Sequence, residues 1–194
     1  MRAKKTLKKI WDFIVHEDSL VSWIVNVIIA FVIVKYVIYP GLGLILGTSF
    51  PIVAVVSGSM EHHPSGFNEW WESHERWYVV NGILKDEFEK FSFKDGFWKG
   101  DIMLLYGVEP KDIKIGQVIV YQSSSYNNPV IHRVVKIDIE KGEYYFTTKG
   151  DNNIATDPSR ITEEQIQKTG KAIARIPLLG WIKIIFVEIV ERLR

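Results

Sequence analysis

The feature that most constrains this chain is a continuous apolar segment near its N-terminus. Residues 20–39 read LVSWIVNVIIAFVIVKYVIY, with Asn26 and Lys35 as the only strongly polar members. A helix of about 20 apolar residues is long enough to cross the hydrocarbon core of a bilayer. A buried soluble helix would show a polar face, and a cleaved leader has a shorter apolar run followed by small residues. The segment is therefore predicted to be a transmembrane helix.

The residues before this segment are basic. Residues 1–10 contain five Lys and Arg side chains and no acid. By the positive-inside rule, residues 1–19 are expected to be a cytoplasmic segment, and everything after Pro40 is expected on the opposite side. Residues 40–50, rich in Gly and Leu, are expected to form a juxtamembrane connector.

Composition excludes several classes of protein. The 24 basic and 23 acidic residues give a net charge of +1, so the chain as a whole does not resemble a nucleic-acid binder. The absence of cysteine excludes disulfides, thiolate zinc sites and a cysteine nucleophile. His62, His63 and His74 are the candidates for a metal site, but no H-E-x-x-H pattern accompanies them. We expect neither a metal nor another cofactor.

The rest of the chain is predicted to be mainly β. Short apolar runs bounded by turn residues occupy 51–56, 101–106, 117–122, 130–140, 143–149 and 171–176, and Lys141-Gly142 is typical of a hairpin turn. This pattern predicts an antiparallel, partly closed β domain over residues 51–176. Residues 177–194 are predicted to be an amphipathic helix lying on the domain or the membrane, with a short second span as the alternative.

An aromatic segment interrupts the strands at residues 61–99. Helical spacing around 68–76 and 83–91 predicts an inserted helical subdomain. Trp70, Trp71 and Trp77 would suit a membrane interface, where amphipathic rings are favoured. They would equally suit the insert's own small core, and the sequence leaves both interpretations open.

Three polar clusters follow or lie within strands. Ser59 ends the first strand beside Gly58, His132 lies within 130–135, and Asp151 and Asp157 follow the strand 143–149. A serine hydroxyl needs a base to accept its proton, and histidine, with an unperturbed pKa of about 6.5, suits that role near neutrality. An aspartate would then orient the imidazole. Each residue alone also has an ordinary structural interpretation, and nearby lysines, Lys136 and Lys149, offer alternative bases.

Five motifs in order resemble those of the type I signal peptidases. They are VSGSM at 56–60, GD at 100–101, VIHRVV at 130–135, TKGDNN at 148–153 with Asp157, and IPLLG at 176–180. The resemblance covers residues 52–60 and 100–180. Histidine at the base position, where the bacterial enzymes have lysine, resembles the archaeal and endoplasmic-reticulum form.

This resemblance implies a role for each motif. It makes Ser59 the nucleophile, His132 the general base and Asp157 the acid, with Asp151 in the same motif. Ser57, together with the Ser59 amide, would form the oxyanion hole. Small residues before the scissile bond imply shallow apolar pockets beside an exposed strand edge, which Val55 or Val130 would line.

The implied protein is a membrane-anchored serine endopeptidase. It would cross a cell membrane, or one of the endoplasmic-reticulum type, once, and would remove signal peptides from secretory precursors at the outer surface. Its partners would be these precursors and the lipid bilayer, and not nucleic acid; the sequence leaves open whether accessory subunits join it.

Two alternatives stay open: a non-catalytic membrane-anchored interaction module, and the same chemistry on other membrane or pilin-like substrates. The chain also departs from the family pattern. His62-His63 stand where Pro commonly follows, and the insert is longer than usual in the eukaryotic members.

Overall fold

The computed structural model describes residues 2–62, 64, 66–123, 129–166 and 170–192. The chain divides into two compact units, Met1–Ile45 and Leu46–Arg194.

The N-terminal unit is helical throughout most of its length. Helix α1 spans Arg2–Val15 and helix α2 spans Leu20–Ile33. Ser19 caps the N-terminus of α2, because its hydroxyl accepts a hydrogen bond from the Ser22 backbone amide. A π-helical turn, Val34–Ile38, then joins α2 to α3, Tyr39–Leu46. The combined helix Leu20–Leu46 has 27 residues and a mean hydropathy of 2.3, so it is long and apolar enough to cross a membrane.

The helix extends further than the sequence predicts. The predicted transmembrane segment ends at Tyr39, yet the helix continues to Leu46, so most of the expected connector, residues 40–50, is helical. The Tyr39 amide donates to the carbonyl of Val34, five residues back, in the π-helical turn. This local widening accommodates Pro40, which has no amide hydrogen to donate.

The polar side chains of α2 are used within this unit. The Ser22 hydroxyl donates to the carbonyl of Phe13 at 2.6 Å, and the Asn26 amide donates to the carbonyl of Ile14 at 2.8 Å. The last carbonyls of a helix have no partner within it. Ser22 and Asn26 therefore cap the C-terminal end of α1.

The C-terminal unit contains an antiparallel sheet of seven strands, curled into a half-barrel. The strands are β1 Ile52–Ala54, β2 Ile102–Tyr106, β3 Val118–Tyr121, β4 Val130–Glu140, β5 Glu143–Lys149, β6 Ile161–Thr162 and β7 Gly170–Ile176. Their order in the sheet is β1-β2-β7-β3-β4-β5-β6. The mainly antiparallel β fold predicted from the sequence is confirmed. Lys141 and Gly142, both with positive φ, form the predicted hairpin turn between β4 and β5.

Strand β3 lies in the middle of the sheet and is buried on both faces. Val118 and Val120 pack in one hydrophobic cluster with Met103 and Leu105, while Ile119 and Tyr121 face a second cluster around Phe146. Alternate residues of a strand point to opposite faces. The sheet therefore has a core on each side.

The insert has a hydrophobic core of its own. Helices α4, Phe67–Val80, and α5, Lys85–Phe88, enclose a third cluster that includes Trp70, Trp71 and Phe88. Trp70 and Trp71 are only 1% and 2% exposed. For these two rings the interface interpretation is wrong, because their faces are covered by other aromatic side chains of the insert.

A 3₁₀ turn, Pro110–Asp112, precedes β3, and two further helices follow the later strands: α6, Glu163–Ile166, follows β6, and α7, Trp181–Arg192, follows β7. Among the α7 side chains whose burial the structure describes, Ile184 is the buried one, although it interrupts the polar face expected from the sequence. The expected apolar face does not lie on the domain, because its described members are exposed: Leu178, Ile182, Ile185, Phe186 and Ile189. Leu193 lies outside the described residues.

Candidate active site

Ser59 lies in a turn that follows β1 and is fixed from two directions. The Val55 amide donates to the carbonyl of Asp101, and the Gly100 amide donates back to the carbonyl of Val55. On the other side, the Asn152 amide donates to the carbonyl of Ser59 at 2.8 Å. A Cβ atom on Gly150 would come within 2.7 Å of the same carbonyl oxygen. Glycine at position 150 therefore lets the two segments approach.

His132 lies on β4 and contacts both Ser59 and Asp157. Its Nε2 is 3.0 Å from the Ser59 hydroxyl, and its Nδ1 is 2.7 Å from an Asp157 carboxylate oxygen. The imidazole is largely buried, with 6% of the residue exposed. The structure thus joins Ser59, His132 and Asp157 in one hydrogen-bonded chain, although they are distant in sequence.

Asp157 is held by the two strands on either side of β4. Its carboxylate accepts hydrogen bonds from the Tyr121 hydroxyl of β3 at 2.8 Å and from the Thr148 hydroxyl of β5 at 2.6 Å. Its amide donates to the carbonyl of Thr148. Burial by itself raises the pKa of Asp157, but the hydrogen bonds from His132, Thr148 and Tyr121 outweigh it, so the pKa lies below its ordinary value. Asp157 is therefore ionised at neutral pH.

Asp151 is used differently from Asp157. Its carboxylate is fully buried and accepts two hydrogen bonds from Arg133, at 2.8 and 2.6 Å, and one each from His62 and Tyr78. Burial raises the pKa of Asp151, and the Arg133 guanidinium more than reverses this, leaving the pKa well below its usual range. The His132 ring nitrogen bonds Asp157, not Asp151. The sequence left the choice between the two aspartates open.

The Asp151–Arg133 pair also ties the insert to the sheet. Arg133 donates to the carbonyls of Ser92 and Phe93 in the insert and to that of Gly116. Arg133 is buried and donates both to these backbone carbonyls and to the Asp151 carboxylate. The pair therefore fixes the turn that carries Asp151.

Neither alternative lysine base contacts Ser59. The Lys149 ammonium donates to the carbonyls of Gly150 and Asp151, and burial lowers its pKa to about 8. Lys136 is exposed and pairs with Asp138. His132 is the described base within hydrogen-bonding distance of the Ser59 hydroxyl.

A cleft of about 430 Å³, which we call the Ser59 cleft, opens beside these groups. Ser57 lines it, with its hydroxyl 3.3 Å from that of Ser59. Val130 also lines it, but Val55 does not. Val55 is 2% exposed and packs in the sheet core, so its assignment to the substrate pocket is wrong. Successive strand residues alternate between faces, so the flanking residues Ala54 and Val56 line the cleft instead.

The histidines considered for a metal have other contacts. His62 donates to Asp151 and stacks on Trp70, and His74 bonds the carbonyl of Trp70. His63 lies outside the described residues. Among the residues that the structure describes, no group of three or more His, Asp or Glu side chains could hold a metal ion.

Sequence reasoning missed Tyr121 and Thr148 as partners of Asp157. Thr148 is the first residue of the TKGDNN motif at 148–153. The motif therefore placed Thr148 near the site, but it did not predict the hydrogen bond to Asp157. Tyr121 lies at the end of a strand, and nothing local distinguishes it from other strand tyrosines.

Comparison with known proteins identifies relatives that are all catalytic subunits of the signal peptidase complex. The chain is 29% identical over 159 residues to the signal peptidase complex catalytic subunit SEC11 of Scheffersomyces stipitis, covering 79% of this chain and 75% of the relative. It is 25% identical to the corresponding subunit of Yarrowia lipolytica, covering 79% and 73%. It is 28% identical to human SEC11C, covering 76% of this chain and 63% of the relative. No protein-family model matches the chain.

These relatives agree with the resemblance that the five motifs carry. The enzyme class expected from the sequence, a serine endopeptidase of the signal peptidase I type, is confirmed at the level of these homologues. The chain is therefore a homologue of the type I signal peptidases of the endoplasmic-reticulum form.

Proposed function

We propose that this protein is a membrane-anchored serine endopeptidase that removes signal peptides from secretory precursors at the outer membrane surface. The observation that carries the proposal is the hydrogen-bonded chain from Ser59 through His132 to Asp157, placed in an open cleft. The alternative of a non-catalytic interaction module does not require these three side chains to be aligned.

In the proposed reaction His132 accepts the Ser59 proton as the hydroxyl attacks the scissile carbonyl. The imidazolium that forms donates through Nδ1 to the ionised Asp157, which stabilises it. His132 then gives the proton to the leaving amine, and a water molecule activated by the same imidazole releases the acyl group from Ser59. The Ser59 amide and the Ser57 hydroxyl would donate to the oxyanion.

The Ser59 cleft suits an extended peptide. Within the described residues, β1 pairs with β2 along one edge, and no strand pairs with its other edge. Residues 130–132 of β4 pair with β3 on one side, and pairing with β5 on the other side begins only at Arg133. The backbone edges next to the cleft are therefore free to accept a peptide as an added strand. Ala54, Val56 and Val130 give the cleft short apolar walls, which would favour small residues before the scissile bond.

The membrane topology belongs to the same proposal. The helix Leu20–Leu46 would be a single span, with the basic N-terminal segment in the cytoplasm and the unit from Leu46 onward on the other side. The substrates would be precursors whose signal peptides lie in the same bilayer.

The test is cleavage of a precursor by the purified full-length protein in lipid vesicles. Wild type should cut it once, Ser59→Ala should not, and sequencing of the new N-terminus should place the cut after small residues. Lys136→Ala, which changes an exposed amine, should cut like wild type. No difference between wild type and Ser59→Ala would refute the proposal, and a cut at another kind of site would redirect it to other substrates.

A further inference from the structure

A second cleft of about 510 Å³, which we call the insert cleft, adjoins the Ser59 cleft. Helix α4 of the insert forms one wall, and the turn after β5 forms the other. Asn153 lines both clefts. A peptide that leaves the Ser59 cleft past Asn153 therefore enters the insert cleft.

The lining of the insert cleft has a one-sided charge. Arg76 and Lys149 are its charged side chains, and none of its described lining residues is acidic. The Arg76 side chain is exposed, so it can turn toward a bound group. Lys149 is buried, with 1% of the residue exposed; its ammonium lies 5.3 Å from the centre of the Trp77 ring and donates to the carbonyls of Gly150 and Asp151. With a pKa of about 8, Lys149 is mainly charged at neutral pH.

The same cleft also exposes apolar side chains. Ile154 is 95% exposed and Val80 is 79% exposed, and both line it beside Trp77. Exposed aliphatic groups beside an exposed guanidinium suit an extended peptide that carries an acidic side chain. The peptide covers the apolar groups while its carboxylate pairs with Arg76, and the buried Lys149 adds positive charge behind the wall.

We propose that the insert cleft binds the first residues of the mature chain, after the scissile bond, and favours an acidic side chain among them. This inference rests on the proposed function, because it needs a peptide bound at Ser59. The short apolar walls of the Ser59 cleft suit the small residues before the cut. The residues after the cut would then leave along Asn153.

The experiment compares kcat/KM of the full-length enzyme for precursors that are identical up to the scissile bond. They carry Asp, Asn or Lys at successive positions after it. Wild type should favour Asp over Lys at one or two positions, by about threefold, the size expected for an exposed ion pair. Arg76→Glu should reverse this preference. Lys90→Glu makes the same charge change on an exposed side chain of the insert outside the cleft, and should keep the wild-type preference.

The outcomes separate the two proposals. If wild type cleaves all precursors without regard to charge, or if Lys90→Glu changes the preference as much as Arg76→Glu, the inference is wrong and the proposed function stands. If wild type cleaves no better than Ser59→Ala, the proposed function fails and the inference fails with it.

Discussion

At the scale of single residues, the two aspartates of one turn carry different tasks because their partners differ. Asp157 bonds the imidazole and two hydroxyls, whereas Asp151 bonds a buried guanidinium. We expect Asp157→Ala to lower kcat at least a hundredfold while the melting temperature stays near that of wild type. Asp151→Ala should lower the free energy of unfolding by about 3–5 kcal/mol, because it leaves Arg133 buried and unpaired.

Activity and thermal melting measured on both variants check this division. The reverse result, an unfolded Asp157→Ala and a folded but inactive Asp151→Ala, would exchange the two roles. Asp157→Asn, which keeps the shape of the side chain, serves as the control for packing.

Ser57 is proposed to stabilise the transition state and not the bound substrate. Its hydroxyl lies near that of Ser59 and would donate to the oxyanion only during reaction. Ser57→Ala should therefore lower kcat by about 10²–10³ with little change in KM. Ser57→Thr, which keeps the hydroxyl, should retain most of the activity. Equal kcat for wild type and Ser57→Ala would remove Ser57 from the oxyanion hole.

His62 gives the fold a pH dependence that the sequence did not indicate. Burial lowers its pKa, although Asp151 beside it acts in the opposite direction. In the native state His62 then binds fewer protons than in the unfolded chain, so stability falls as the pH drops below about 6.5. Each loss of about 1 kcal/mol would lower the melting temperature by about 3 °C.

Melting temperature measured between pH 8 and pH 4 checks this expectation. The fall below pH 6.5 should be smaller in His62→Gln, whose amide can still donate to Asp151. Below about pH 4, protonation of Asp151 adds a further loss, because its pKa is also lowered in the native state. If the melting temperature of His62→Gln falls below pH 6.5 as much as that of wild type, another titratable group causes the fall.

At the scale of elements, the longer pieces were predictable and the short ones were not. The strands β4 and β5 alternate over enough residues to be recognised, and Lys141-Gly142 marks their turn. The strand β6 has only two residues, too few for any period. The tryptophans of the insert suit a core and an interface equally well, so only tertiary contacts could decide between them.

The insert provides a prediction at this scale. Trp70 packs between His62 and the rings of α4 and α5, so Trp70→Ala should lower the free energy of unfolding by about 3–5 kcal/mol. Hydrolysis of a short soluble peptide and of a membrane-embedded precursor should then decline together on warming. Leu84→Ala, at an exposed apolar position of the insert, should leave both unchanged. A loss confined to the membrane-embedded precursor, with an unchanged melting temperature, would contradict this stabilising role of Trp70.

At the scale of the whole molecule, the sequence predicted two parts, an apolar helix and a β unit, because each has its own hydrophobic pattern. It did not predict that the helix passes Pro40, since the π-helical turn that permits this depends on a backbone hydrogen bond and not on side chains. It also did not predict α1, whose last carbonyls are capped by Ser22 and Asn26.

The proposed single span predicts opposite accessibility for the two ends of the chain. Because the protein has no cysteine, one introduced thiol reports its own position. Lys4→Cys and Lys90→Cys both replace exposed lysines, one in α1 and one in the insert. In intact cells of a bacterial host that inserts the protein in its inner membrane, with the outer membrane opened, an impermeant maleimide should label Lys90→Cys. It should reach Lys4→Cys only after the inner membrane is permeabilised, because the basic flank holds that end in the cytoplasm. Both variants should keep precursor cleavage, which confirms that the labelled protein is folded. Labelling of both positions in intact cells would exclude a single span with this orientation, and labelling of Lys4→Cys alone would invert it.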